Sequence, residues 1–413
     1  MSGRFEDARF GLFVHWGPWA AMGLEASWPL VGGLPDLGLT QSVPAEAYHA
    51  AADRWRPDPE APARWVEAAV RAGMRYAVLT ARHHDGYALW PSAAGGAGVG
   101  PNGPDVVGAF VAACRARGLK VGLYYSLPDW RHPDYPAFTD SLRPYRFGAY
   151  PWPGGDVWAR YLTYLERQVV ELVDRYRPDL LWFDGGWERT AEQWRAADLA
   201  RRIRSLHPGI LLNDRLPGQG DFATPEQFIP PEPPDGPWEV CLTMNRSWGF
   251  NPHDQDYKSA THLVHLLAET AGSGGNLLLN VSPDGAGEIP PPQRARLEAM
   301  GAWVHAHGEA LFGTRPGLAA WQFRGPSTRR GETLFLFLTM QPVDLVPVRG
   351  VPVARLRAVR HLPTGQALSF EVRRPVVDRI LGVDGPGEVW IAVPWEGRDP
   401  HATVLALELV PGP

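Results

Sequence analysis

The side chains best suited to chemistry in this chain stand where its apolar runs end. Asp179-Leu180-Leu181-Trp182-Phe183-Asp184-Gly185-Gly186-Trp187 stops on a carboxylate, followed at once by two glycines and a tryptophan. A short apolar run bounded by Pro178 and by glycine reads as a buried parallel strand. Asp184 then sits at the strand-to-loop handover, where α/β barrels build their active sites, and reads as a nucleophilic carboxylate. Polar clusters close four other apolar runs: His15-Trp16-Gly17, His83-His84-Asp85-Gly86, Tyr124-Tyr125-Ser126 and Asn213-Asp214-Arg215. Recurrence at five strand ends points to one shared mouth.

Each cluster also has a plain structural reading. His15 alone could be a satisfied core histidine. The pair His83-His84 carries more, because strand neighbours point to opposite faces, so one can line the mouth while the other braces a loop. Metal ligation is the rival reading for the pair; adjacent histidines rarely chelate one ion, and no third ligand is spaced nearby. Asp214 could cap a turn, and Arg215 could be an ion-pair partner or a clamp on a substrate hydroxyl. Trp182, two residues before Asp184, faces the same side of the strand, as pocket wall or as barrel filler.

The elements that must position these groups alternate. Strands are expected at Phe10 to Trp16, Tyr76 to Ala81, Lys120 to Leu127, Leu180 to Asp184, Ile210 to Asn213, Glu239 to Met244 and Asn276 to Val281. Helices are expected at Pro62 to Met74, Asp105 to Gly118, Asp156 to Tyr176, Ala191 to Leu206, Ser259 to Ala271 and Arg294 to His307. This alternation implies parallel strands with crossover helices in a (β/α)8-like TIM barrel over residues 1–313. The Pro-rich stretch from Asn213 to Trp238 has no helix signal and reads as a long functional loop. After Gly313 the pattern turns to short strands between Gly/Pro/Asp turns, with no helix pattern. A C-terminal β-sandwich is expected over 314–413.

Composition narrows the partners. A net charge of −5 gives no support for nucleic acid or an anionic membrane. No run reaches the roughly 18 apolar residues of a membrane span. Two cysteines, Cys114 and Cys241, cannot build a disulfide framework, and the N-terminus shows no apolar leader, so a cytoplasmic protein is expected. Eighteen tryptophans are many for this length, and tryptophan is a common platform for the apolar faces of sugars.

With these clusters in view, the chain resembles the α-L-fucosidases of glycoside hydrolase family 29. The resemblance runs through Arg9-Phe10-Gly11-Leu12-Phe13-Val14-His15-Trp16-Gly17, Leu79 to Tyr87, Gly122 to Ser126 and Trp182-Phe183-Asp184-Gly185. It continues through Asn213-Asp214-Arg215, Thr224-Pro225-Glu226, Trp238-Glu239-Val240-Cys241 and Ser247-Trp248-Gly249-Phe250-Asn251 to Gly275-Asn276-Leu277-Leu278-Leu279-Asn280 and Gly313-Thr314-Arg315-Pro316. It implies a retaining exo-acting hydrolase of terminal α-L-fucosides, with Asp184 as nucleophile and no metal or organic cofactor. Two carboxyl groups about 5–5.5 Å apart are then needed, one attacking and one protonating the leaving oxygen. Glu226 is the first candidate for the acid/base and Glu239 the second.

The resemblance also implies His15, His83, His84, Tyr125 and Arg215 as ligands of the sugar hydroxyls and the nucleophile, with Tyr124 the alternative to Tyr125. Trp182, Trp248 and Phe250 are candidates for the apolar wall and methyl pocket. Many relatives carry a Glu-Trp pair after the first strand to hold the sugar. Here the sequence is Glu25-Ala26-Ser27-Trp28, so the glutamate is either displaced to Glu25 or replaced by Ser27. The expected partner is a fucose-containing glycoside. A related sugar such as a galactoside, and a catalytically dead sugar-binding barrel, are the alternatives, and a homo-oligomer is left open.

Overall fold

The computed structural model describes residues 5–32, 41–135, 155–340, 345–382 and 385–411. Seven parallel strands form one sheet: β1 (Phe10–Val14), β2 (Tyr76–Arg82), β3 (Lys120–Ser126), β4 (Leu180–Asp184), β5 (Leu211–Leu212), β6 (Glu239–Leu242) and β7 (Asn276–Val281). Their order is β5-β4-β3-β2-β1-β7-β6, a barrel-like α/β arrangement. Between its two outer strands runs the Pro-rich segment that reads as a loop. It makes isolated parallel bridges, Asn213 to Phe222 on one side and Ala223 to Trp238 and Glu226 to Cys241 on the other. Proline removes backbone donors, so this segment pairs at points instead of as a ladder.

Alternation along the strands creates two apolar layers. Leu180 and Trp182 of β4 face inward with Phe13, Tyr76, Val78, Tyr124, Cys241 and Leu278. Leu181 and Phe183 face outward into the larger core beneath the helices. The helices supply matching stripes: Gly155–Tyr176 buries Trp158, Tyr161, Leu165, Val169, Leu172 and Tyr176, the three-to-four spacing of one helix face. Helix Val106–Ala116 starts on Asp105, whose carboxylate accepts the Gly108 N–H. The single helix expected over 191–206 is two, Ala191–Trp194 and Ala196–Leu206, broken where Arg195 takes a left-handed backbone (φ 50°).

Beyond the parallel sheet lie two antiparallel sheets. One has the order β12-β15-β10-β9-β8 and the other β11-β14-β13. The first contains β8 (Arg315–Pro316), β9 (Ser327–Arg330), β10 (Thr333–Leu338), β12 (Leu356–His361) and β15 (Thr403–Leu409). The second contains β11 (Leu345–Val351), β13 (Phe370–Arg373) and β14 (Gly387–Ala392). Leu334, Leu336, Leu405 and Leu407 of the first share a core with Val346, Val348, Val389 and Ile391 of the second. The opposite side chains, Phe335, Phe337, Val404 and Ala406, join the core of the helical layer. The five-stranded sheet is therefore buried on both faces, and the Trp303 Nε1–H donates to the Ala402 carbonyl across the join (2.8 Å). Two short elements depart from the all-strand expectation here: a 3-10 turn at Val353–Arg355 and a helix at Val376–Leu381.

Candidate active site

All the strand-end clusters reach one end of the parallel sheet. Asp184 closes β4, and Gly185 follows with φ +75°, a backbone region that side chains strain to adopt. A Cβ there would also meet Pro128 at 2.3 Å. That turn lets the chain leave the strand without covering the carboxylate, which is 6% exposed. Asp184 borders a cavity of about 230 Å³, whose polar lining includes His15, His83, Tyr124, Arg215 and Glu226. Its apolar lining is Phe13, Trp28, Trp182, Trp187, Cys241 and Trp248.

Both Asp184 oxygens are held by donors. Tyr124 Oη donates to Oδ2 at 2.7 Å, and Arg215 Nη1 to Oδ1 at 2.8 Å. The same guanidinium extends Nη2 to Glu226 Oε2 at 2.6 Å, so one planar fork grips two carboxylates. Arg215 packs over the Trp182 ring, its Cζ 4.6 Å from the centroid. Its Nε donates to Thr224 Oγ1, whose hydroxyl in turn donates to Asp214. Burial alone would lower the Arg215 pKa, but the charges of Glu226 and Asp184 outweigh it and hold it well above the ordinary value.

The histidines are neutral. Burial brings His15 down to about 4, against a supporting bond from Nδ1 to Asn280 Oδ1 (2.7 Å). Burial takes His83 and His84 well below the ordinary value, with the adjacent His84 and His15 adding to it at His83, and Arg82 leading the charges that add to it at His84. Each is braced by a serine, His83 Nδ1 by Ser27 Oγ and His84 Nδ1 by Ser126 Oγ, both at 2.6 Å. The Ser126 hydroxyl spends its hydrogen on the Pro128 carbonyl (2.6 Å), so His84 Nδ1–H must be the donor to it. His84 Nε2 is left as an acceptor, 3.5 Å from Asp184 Oδ2 and without a hydrogen-bond partner. Two acceptors facing each other call for a donor between them.

The opposite-face expectation for His83 and His84 does not hold. The β2–β3 register shifts between Thr80 and Arg82 and the strand ends at Arg82, so both rings lie together, centroids 4.3 Å apart. His83, His84 and Asp184 each offer one ligand atom within 4.8 Å of the others. A guanidinium 2.8 Å from the same carboxylate opposes a divalent cation there, and the donor set suits a hydroxylated ligand better.

Five sequence-expected residues lie off the cavity wall, His84 among them, buried beside Asp184 behind the lining. Tyr125 is corrected to Tyr124: period 2 turns Tyr125 outward, where its hydroxyl donates to Gln168 and its ring packs on Arg82. Phe250 packs against the outer core. Glu25 is fully buried, its oxygens accepting the Trp248 and Gly249 N–H groups at 2.7 and 2.9 Å, and burial pushes it up to about 8. It orders the Trp248 loop, while Ser27 braces His83. Glu239, 0% exposed, accepts from Tyr76 Oη and from Trp182 Nε1 (3.0 Å) behind the cavity floor.

The sequence reading missed Trp187, Phe13 and Cys241 as lining, and Ser27, Ser126, Thr224 and Asn280 as braces. All seven stand inside stretches it singled out, so position in those motifs was an available signal.

A family model described as alpha-L-fucosidase matches residues 1–309. The chain belongs to the α-L-fucosidase family. As a member it is a glycoside hydrolase. It is 32% identical over 363 residues to the tissue alpha-L-fucosidase of Rattus norvegicus, covering 81% of this chain and 73% of that one. The structure of alpha-L-fucosidase isoenzyme 1 from Paenibacillus thiaminolyticus superposes with a TM-score of 0.85 at 34% identity, covering 98% of each chain. The Thermotoga maritima alpha-fucosidase in complex with a mechanism-based inhibitor gives 0.77 at 28% identity, covering 98% and 96%. This fucosidase-family fold spans the antiparallel sheets as well as the parallel one.

Proposed function

We propose that the chain is a retaining exo-α-L-fucosidase in which Asp184 is the nucleophile and Glu226 the acid/base. One observation carries the assignment of roles: a single guanidinium, Arg215, bridges both carboxylates at the edge of one small cavity. A shared guanidinium brings the two carboxylates to one side of the cavity, which supports the close pair that retention needs. Glu226 has a 37% exposed side chain, on the side where an aglycone leaves, whereas Asp184 lies deeper.

In the first step an Asp184 oxygen bonds to C1 as the glycosidic C1–O bond breaks, and Glu226, entering in its protonated form, gives its proton to the departing oxygen and is left as the carboxylate that Arg215 pairs with. In the second, Glu226 takes a proton from water, the water oxygen bonds to C1, and the C1–Asp184 bond breaks to release L-fucose. Tyr124 and Arg215 donate to Asp184 throughout, which stabilises it as it departs. The neutral histidines serve as hydroxyl ligands. His84 Nε2, left as an acceptor, takes the hydrogen of a sugar hydroxyl beside Asp184 Oδ2, and Trp182, Trp187, Trp28 and Trp248 provide the apolar walls. A galactoside of related configuration is the second reading, favoured by Glu25 being committed to the Trp248 loop and so withheld from the sugar.

Trapping with a fluorinated fucosyl inactivator and peptide mapping tests the nucleophile. A label on Asp184 is expected, and a label on any other side chain would overturn it. Screening aryl glycosides decides between fucoside and galactoside.

We further take the segment 222–227 as the eighth stave of a (β/α)8 barrel, supported by its bridges to both flanking strands. The two antiparallel sheets read as a sandwich beginning at residue 314, next to the left-handed Gly313 (φ +66°). A cytoplasmic location is supported by Cys114 and Cys241, both free and buried; exclusion of the native chain from a cytosolic fraction would refute it.

A further inference from the structure

We infer that Glu239 is a positioning residue, which fixes the indole of Trp182 so that both donors to the Asp184 carboxylate are held in place. The inference rests on the site reading above and assigns Glu239 a task other than proton transfer. Glu239 Oε1 accepts the Trp182 Nε1–H at 3.0 Å, and Oε2 accepts the Tyr76 hydroxyl. No cation pairs with it among the described residues, although Arg215 acts on it from beyond the indole. Burial pushes its carboxyl up to about 7, so its position behind the floor opposes ionisation and calls for another reason to keep a carboxyl there.

The indole it holds supports two groups at once. Arg215 Cζ lies 4.6 Å from the Trp182 ring centroid, and the Tyr124 ring stacks on it at 5.6 Å and 18°. These are the two residues that donate to Asp184 Oδ1 and Oδ2, at 2.8 and 2.7 Å. Arg215 also holds Glu226 at 2.6 Å. A tilt of Trp182 therefore displaces both donors and the second carboxylate together, and misplacement on the order of 1 Å costs about a hundredfold in rate.

The test compares Glu239→Leu, Glu239→Gln, Trp182→Phe and the double variant Glu239→Leu/Trp182→Phe, assayed on aryl fucosides with good and poor leaving groups. Glu239→Leu is expected to lower kcat by roughly 10–100-fold on both substrate types, with KM little changed and no rescue by azide. Glu239→Gln, whose carbonyl can still accept the indole N–H, recovers most of that loss. Trp182→Phe removes the same N–H and reproduces the kcat loss even if Glu239→Leu does not fold. The double variant is no worse than the worse single one, because both break the same link.

A loss confined to poor leaving groups, or azide rescue, makes Glu239 the proton donor and overturns the inference. So does a multiplicative double variant, unchanged kcat in Glu239→Leu, or Glu239→Gln as impaired as Glu239→Leu. Failure of the Asp184 assignment is read separately, from the labelling experiment, and leaves the Glu239–Trp182 cycle interpretable.

Discussion

The mouth of the parallel sheet and the C-terminal sheets handle charge in opposite ways. At the mouth, one arginine serves two carboxylates, three histidines are buried neutral, and Glu25 and Glu239 are pushed up to about 8 and 7. In the C-terminal sheets, charges pair off at the surface, as in Arg360 with Glu408 and Glu309, Arg349 with Glu388 and Arg355 with Glu332. The second arrangement is what solubility asks of a sheet edge, and each such pair adds about 0–1 kcal/mol. The first opposes solvation at several positions, and such clustering of perturbed groups in a concave site is a mark of chemistry.

The sharpest way to break this contrast is Asp184→Ala. Turnover should fall on the order of a thousandfold or more while the melting curve stays cooperative; near-normal turnover would remove Asp184 from its role. Glu226→Ala comes next. It should lose most activity on poor leaving groups, less on activated aryl fucosides, and regain rate with azide, the pattern of a missing acid/base.

Tyr124→Phe removes one donor to a charged carboxylate, a loss of about 1.5–3 kcal/mol, and should lower kcat/KM by roughly 10–100-fold. Tyr125→Phe, one residue on, should leave kcat/KM within about threefold, because its hydroxyl serves Gln168 behind the sheet. Equal effects would mean the register assignment is wrong.

Stability against pH gives a smaller effect with a definite sign. Glu25 and Glu188 are raised to about 8 by burial and Glu239 to about 7, above their unfolded values near 4.5. The folded state therefore holds these protons more tightly, and the stability they contribute is complete at low pH and lost as pH climbs to about 8. His15, His83 and His84 run the other way, losing stability as pH falls below about 6.5. The melting temperature should therefore drop between pH 6.5 and 8.5, where the histidine contribution is complete and no longer changes. Glu25→Gln should narrow that drop; an unchanged drop would separate Glu25 from the effect. The smallest change is expected from Arg360→Ala, with turnover unaltered and stability within about 1 kcal/mol.

Much of this contrast is legible in the chain. The strands at Leu180–Asp184 and Asn276–Val281 match their expected bounds, because each is an apolar run closed by glycine, polar residues or proline. The helix entry at Asp105 is equally local, a side chain capping the backbone three residues on. The segment from Asn213 to Trp238 is not legible as part of the sheet. Its bridges are single contacts to the strands on either side of it, with no ladder to give a period, and its prolines hide the strand signal. The short helix Val376–Leu381 is likewise too brief for periodicity to announce it.

The sequence by itself determined which residue types arrive at the mouth, since chain order and period place Asp184, His15, Arg215 and the aromatic residues at strand ends. Tertiary structure decided which partners they meet. A register shift next to Arg82 put both histidines on one side, the phase of β3 chose Tyr124 over Tyr125, and a bridging segment carried Glu226 to Arg215 while Glu239 went behind Trp182. Those choices rest on contacts between residues 11 to 60 positions apart, and their energy depends on burial and distance, quantities that exist only once the strands are side by side.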